Sequence, residues 1–247
     1  YDGETVPTLK RLDTQGRVIH LGSFSKILAP GMRLGWAVAA PDIADRLMMI
    51  DRDGTLIDGD MLLYVLARHR QDKGTLVGGA VGTLMTNLVV ENALKARGIG
   101  FGRAKVGDRY VLEMLDEKGW QIGGEGSGHL LCLDRHTTGD GIISALQVLT
   151  AVQESGRTLS DFCQELTLSV QVLKNVRIAR GFACKGNEAI EGAVREAEAA
   201  MGNDGRVLLR PSGTEPVVRV MVEHADQAMA EFWAGRIAGV VTAESQS

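Results

Sequence analysis

Arg210-Pro211-Ser212-Gly213-Thr214-Glu215-Pro216-Val217-Val218-Arg219 lies between two strand-like runs. Arg206-Val207-Leu208-Leu209 leads into it and Val217 to Glu223 leads out. Two prolines and a glycine make a tight connection. Such a loop points its backbone N–H groups and the hydroxyls of Ser212 and Thr214 at one place, with Arg210 and Arg219 at the rims. That is the donor set of a phosphate cradle: many hydrogen bonds, fixed positive charge and a pre-ordered backbone. A guanidinium–phosphate hydrogen bond contributes about 1.5–3 kcal/mol, so two of them with the loop can anchor a small phosphorylated ligand. The competing reading is a β-turn with charged flanks.

The surrounding pattern predicts a small α+β lobe over residues 158–247. Val170 to Arg177 alternates as a strand. Asn187 to Met201 is a charged amphipathic helix ended by the turn Asn203-Asp204-Gly205, and a last helix runs from about Ala225 to Val241. Ser160 is the expected cap of a connecting helix through Leu166. A lobe of this βαββα order can swing as a lid over a neighbouring domain.

Upstream, helices and strands alternate. Helices are expected over Met61 to Arg70, Met85 to Ala96, Asp108 to Lys118 and Gly141 to Glu154. Strands are expected over Thr75 to Ala80, Ile99 to Lys105, Trp120 to Ile122 and Leu130 to Leu133. This predicts an α/β domain over 45–157, a layered sheet that is mainly parallel. Two of its loops can carry chemistry. Lys105-Val-Gly-Asp-Arg109 sits at a strand-to-helix turn, where ligands bind in open α/β sheets. Gly124-Glu-Gly-Ser-Gly-His129 holds a carboxylate and a hydroxyl two residues apart, able to bond sugar hydroxyls. The glycine runs at 98–102 and 124–128 lack dinucleotide-fingerprint spacing, and His129 alone would read as a structural histidine.

Composition narrows the classes. The 247 residues are 45% hydrophobic and 23% charged, as in a soluble globular protein of one large or two modest domains. A net charge of −4 argues against nucleic acid as a partner. No apolar run is long enough for a membrane helix, so no membrane partner is expected. Cys132, Cys163 and Cys184 are odd in number and far apart, which suggests a reducing cytoplasm rather than disulfides or a metal site. The first residue is Tyr1, so the sequence reads as a fragment, a processed chain or a partial reading frame.

The first 44 residues have a different character. Arg17 to Leu21 reads as a strand, followed by Gly22-Ser-Phe-Ser-Lys26-Ile-Leu-Ala-Pro-Gly-Met-Arg33-Leu-Gly-Trp36. A lysine among small hydroxyl residues, with an arginine seven positions on, has the makings of a Schiff base beside a phosphate site. The string resembles the cofactor-lysine segment of fold-type I pyridoxal-phosphate (PLP) aminotransferases. By that resemblance Lys26 would bind the aldehyde, and Ser23, Ser25 and Arg33 the cofactor phosphate. The rest of such a site is missing, so a vestigial βαβ-like remnant is expected. Its strands, Val18 to Leu21 and Leu34 to Ala39, would have lost their sheet neighbours.

From about Asp45 onward the chain resembles the phosphohexomutase family, most plainly in Arg210-Pro-Ser-Gly-Thr-Glu-Pro-x-x-Arg219 and Gly124-Glu-x-Ser-Gly-His129. The resemblance implies isomerisation of glucosamine 6-phosphate and 1-phosphate, in cell-wall precursor synthesis, through a phosphoserine, a bisphosphate and Mg2+. It assigns phosphate binding to Arg210, Ser212, Gly213, Thr214 and Arg219, and sugar recognition to Glu125 and Ser127 with His129 in support. It makes Lys105 and Arg46 the catalytic positions and Asp45 the metal ligand. It also gives Gly78 to Asn87 a structural part at a sheet end. Asp45-Arg46 would be the tail of a three-aspartate metal loop, but the first two aspartates fall on Pro41 and Ile43. No serine has the surroundings of the phosphoserine. Weak binding of a phosphorylated amino sugar with little or no turnover is therefore expected, with a complementing N-terminal half or a second copy of the chain as partner. The rival readings are a PLP-dependent transferase fragment, a non-catalytic phosphosugar-binding module, and a chimera or assembly artefact without a function of its own.

Overall fold

The computed structural model describes residues 48–50, 54–179, 182–212 and 215–246 in full, and 20–23 and 35–38 by their backbone. The chain forms two compact units that part after Leu166, with Asn87–Val89 grouped with the second.

In the first unit, β1 (His20–Ser23) and β2 (Gly35–Val38) pair antiparallel with each other. This antiparallel pairing departs from the parallel pairing of the expected βαβ-like remnant, and among the described residues no other strand joins the two. β3 (Met49–Ile50) and β4 (Leu56–Ile57) form a second short antiparallel pair. Asp51 to Asp53, between them, lie outside the described residues.

The main sheet has the order β6-β5-β7-β8. Its strands are β5 (Gly79–Thr83), β6 (Gly100–Ala104), β7 (Ile122–Gly124) and β8 (Leu130–Cys132). β5 pairs parallel with β6 and β7, and β8 closes the edge antiparallel, so the sheet is mixed. The strand expected over Thr75 to Ala80 sits later, and the small-residue stretch assigned to a sheet end supplies the central strand. Glycine is required there: a Cβ on Gly79 would lie 2.1 Å from the Gly100 carbonyl oxygen of the next strand.

Helix α1 (Gly59–Asp72) is capped by Asp58, whose Oδ1 accepts from Met61 N at 3.0 Å. It buries Leu62, Leu63, Val65 and Leu66 and packs against β5 and β7. α2 (Leu88–Ala96) begins three residues later than expected, because Thr83 to Asn87 form a turn that the Thr83 and Thr86 hydroxyls close. α3 (Asp108–Lys118) packs Val111 and Leu115 against Val81 and Leu131. α4 (Gly141–Ser155), capped by Asp140, packs against α1 and β8. The short α5 (Leu159–Cys163) is capped by Thr158 in a capping box with Asp161, not by Ser160, which is buried inside the helix.

The second unit has the expected βαββα order. β9 (Val170–Arg177) is followed by α6 (Glu188–Met201), β10 (Gly205–Pro211), β11 (Val217–His224) and α7 (Gln227–Gln246). The antiparallel sheet has the order β10-β11-β9. Val176, Val218, Val220 and Val222 alternate onto the face that packs with Ile190 of α6 and Trp233 and Ile237 of α7. Residues at odd positions of β9 and β11 therefore look the other way.

Candidate functional site

The described side chains expected to carry chemistry fall into two groups, one in each unit. The first lies at the C-terminal ends of the parallel strands β6 and β7, where open α/β sheets bind ligands. Lys105 follows β6 directly and is exposed, its Nζ 5.5 Å from the centroid of the Tyr110 ring. Gly107 takes φ +128°, a conformation that a side chain would strain, and its N–H donates to Glu125 Oε1 at 2.7 Å. This bond ties the Lys105 loop to the loop after β7.

That second loop is a tight turn. Glu125 N donates to His129 O at 2.9 Å and Gly128 N donates to Glu125 O at 2.9 Å. Ser127 is exposed within it. His129 is packed inward, with Nε2 buried and no hydrogen bond; Asp108 Oδ2, at 3.9 Å, is too far to accept one. The supporting residues escaped the sequence reading. A Cβ on Gly139 would fall 1.9 Å from His129 Nε2, and one on Gly59 would fall 2.0 Å from Glu125 O. Gly59 N also donates to Gly126 O at 3.2 Å. The signal for Gly59 was its place beside the helix cap Asp58; nothing in the sequence marked Gly139.

The second group surrounds the β10–β11 connection. Ser212 N donates to Val217 O and Val217 N to Glu215 O, both at 2.8 Å, and Glu215 N lies 3.4 Å from Ser212 Oγ. Arg210 and Arg219 are directly opposed across the ladder, so both side chains leave the same face of the sheet. Neither has a carboxylate partner among the described residues. Gly213 and Thr214 lie outside the described residues, as do Lys26, Ser25, Arg33, Asp45 and Arg46; Ser23 is described by its backbone in β1 alone. A cavity of about 700 Å³ is on the helix-facing side of this unit, against Phe182, Ile190, Leu209 and Val218. Its wall is mostly apolar and includes neither Arg210 nor Arg219.

Residues 58–169 match the family model "Phosphoglucomutase/phosphomannomutase, alpha/beta/alpha domain III", and residues 173–240 match the C-terminal domain of the same family. The chain belongs to the phosphohexomutases. Phosphoglucosamine mutase of Nitrosospira multiformis is 55% identical over 204 residues, which is 83% of this chain and 44% of that protein. The Ralstonia nicotianae enzyme of the same name is 58% identical over 198 residues, 80% of this chain and 44% of that one. The chain thus spans less than half the length of these two relatives. In fold it is similar to Aspergillus fumigatus N-acetylphosphoglucosamine mutase, solved with GlcNAc-6P and magnesium. The TM-score is 0.65 at 20% identity, covering 80% of this chain and 50% of that one. Neither phosphohexomutase domain model reaches residues 1–57, and nothing in these comparisons supports the aminotransferase resemblance.

Among the described residues no group of three or more His, Cys, Asp or Glu side chains is placed to hold a metal ion. Asp45, the metal ligand that the resemblance implies, lies outside those residues. No helix of the described residues is long and apolar enough to cross a membrane.

Proposed function

We propose that this chain supplies the sugar-recognition and phosphate-binding half of a phosphoglucosamine mutase, acting on glucosamine 6-phosphate and glucosamine 1-phosphate in the cytoplasm. The observation that carries the reading is the opposed pair Arg210 and Arg219 beside the Ser212 turn, in a chain 55–58% identical to phosphoglucosamine mutases. In this reading 45–157 is the sugar-recognition domain and 158–247 the phosphate-binding domain. Arg210, Ser212, Gly213, Thr214 and Arg219 hold the phosphate. Glu125 and Ser127 hold the sugar hydroxyls or amino group, with His129 keeping their loop in place. Lys105 places a positive charge near the transferring phosphoryl group.

The chain alone binds and orients its ligand. Turnover requires the phosphoserine and metal loops of a complementing N-terminal half. Calorimetric titration with glucosamine 6-phosphate tests this: saturable binding that Arg210→Ala removes is expected. Mutase turnover by the purified chain would refute the division of labour, and no binding by a folded parent would refute the binding role.

The pyridoxal reading of residues 1–44 is a separate proposal that rests on sequence alone. A borohydride-reduced adduct on Lys26 after incubation with pyridoxal phosphate is its test, and an unlabelled Lys26 dismisses it.

A further inference from the structure

At its loop end, the face of the second sheet that carries Arg210 and Arg219 holds a third arginine, which no part of the phosphate-loop motif includes. β9 runs antiparallel to β11, with Arg177 opposite Val217 and Asn175 opposite Arg219. Directly opposed residues share a face, and residues two apart on a strand do too. Arg177, Asn175, Arg219 and Arg210 therefore all leave the side away from α6 and α7, while Val176 between them enters the core.

Arg177 also stands at the loop end of the sheet. Its partner Val217 is the residue whose carbonyl accepts from Ser212 N. The next residue, Ile178, donates its N–H to Pro216 O at 3.0 Å. The end of β9 is thus fastened to the loop, one strand spacing from its closing residue, about 4.7–4.9 Å. An arginine side chain reaches further than that.

The charges on this face are handled differently along its length. Away from the loop, Arg206 donates to Glu223 Oε2 at 2.7 Å, and Gln171 opposite donates to the same oxygen at 3.1 Å. Leu208, Met221 and Leu173 make an apolar row next to it. At the loop, Arg210, Arg219 and Arg177 have no carboxylate partner among the described residues. Glu215, the acidic residue of the connection itself, is exposed. Three like charges grouped on one face repel one another unless an anion joins them.

We infer that Arg177 is a phosphate-binding residue, the third guanidinium of a cradle formed with Arg210, Arg219 and Ser212, and that the ligand is a phosphate monoester dianion. Asn175 adds an amide in the same row as Arg219. The inference rests on the binding role proposed above. A third arginine on the flank opposite β10 encloses the phosphate from both sides of β11, and favours a doubly charged terminal phosphate over a singly charged diester.

Calorimetry on the full chain tests this with glucosamine 6-phosphate, inorganic phosphate and unphosphorylated glucosamine, each against the parent, Arg177→Ala, Arg177→Lys, Lys174→Ala and Arg210→Ala. Lys174 is the control, since it removes the same charge from a nearby residue of β9 on the helix-facing side, where its Nζ lies beside Gly235. Loss of one charge-assisted contact predicts a roughly tenfold or larger weakening for both phosphate probes in Arg177→Ala, partial recovery in Arg177→Lys, and less than about twofold change in Lys174→Ala. Equal weakening by Lys174→Ala and Arg177→Ala would reduce the effect to general charge and overturn the inference. Undiminished binding by Arg177→Ala alongside loss in Arg210→Ala overturns it alone and leaves the proposed function standing. A folded parent that binds neither phosphate probe overturns both.

Discussion

Arg210 and Arg219 stand directly opposite each other across the β10–β11 ladder, in a register that holds from Gly205↔His224 to Pro211↔Val218. Like charges in that position destabilise a sheet in the absence of an anion. Glucosamine 6-phosphate at ten times its dissociation constant should stabilise the parent by about 1.4 kcal/mol, a rise of about 3–5 °C in thermal midpoint for a protein of this size. Arg210→Ala should lose that rise, and without ligand at low salt its midpoint should equal or exceed the parent's. Differential scanning fluorimetry reads both quantities. A lower unliganded midpoint would show that the pair does not repel.

Two glycine-to-alanine changes should act with opposite sign. Gly79 in β5 has no room, because its Cβ would press on the Gly100 carbonyl at 2.1 Å and force two paired strands apart. Overpacking of that kind costs about 1–3 kcal/mol. Gly239 lies within α7 with nothing within 4 Å of an added Cβ, and alanine there should stabilise by about 0.8–1 kcal/mol through helix propensity. Urea denaturation of the two variants gives the comparison, and a neutral Gly79→Ala would contradict the close approach of β5 and β6.

This crowding also explains what the sequence showed and what it hid. The β10–β11 connection was readable as a turn between strands because its prolines and glycine are adjacent in the chain and two apolar runs flank it. The central strand was misplaced because Gly79-Ala-Val-Gly-Thr83 lacks the branched, alternating character that marks a strand. Its glycines answer to neighbours that are distant in sequence. Ser160 and Thr158 are equally good caps by residue type, and the choice fell to Asp161, three residues after Thr158 and able to return the hydrogen bond. Arg177 could be placed on a strand, but its partner Val217 is 40 positions away and the register that brings it to the loop is not written locally. The packing of His129 against Gly139 is long-range in the same sense.

Acid should weaken the first unit through Glu91. Burial works to raise its pKa, but hydrogen bonds from Lys95 at 2.6 Å and Arg103 at 2.5 Å outweigh it, and the carboxyl is held below its ordinary value of 4.5. A group with a depressed folded pKa contributes stability that is fully present above its unfolded pKa and is lost as pH falls through the folded one. The parent's thermal midpoint should therefore fall as pH drops below about 4.5, and Glu91→Gln should start lower and show a shallower acid limb. Melting curves at several pH values between 6 and 3 measure this. An unchanged acid limb in the variant would place the sensitive group elsewhere.

Glu125, proposed above as a sugar contact, should prove to be a structural tie as well. Its Oε1 accepts from Gly107 N at 2.7 Å, and that is the bond joining the loop after β7 to the loop that carries Lys105. A hydrogen bond to a charged acceptor is worth about 1.5–3 kcal/mol. Glu125→Ala should therefore speed amide exchange at Gly107 by roughly ten- to a hundredfold and weaken glucosamine 6-phosphate binding along with it. Glu125→Gln keeps an oxygen acceptor at the same reach, so most of the exchange protection should return. If the carboxylate also binds the amino group of the sugar, the Gln variant stays weak toward glucosamine 6-phosphate while its Gly107 amide is protected. Recovery of both would confine Glu125 to holding the loops, and recovery of neither would mean that the 2.7 Å contact needs the charge.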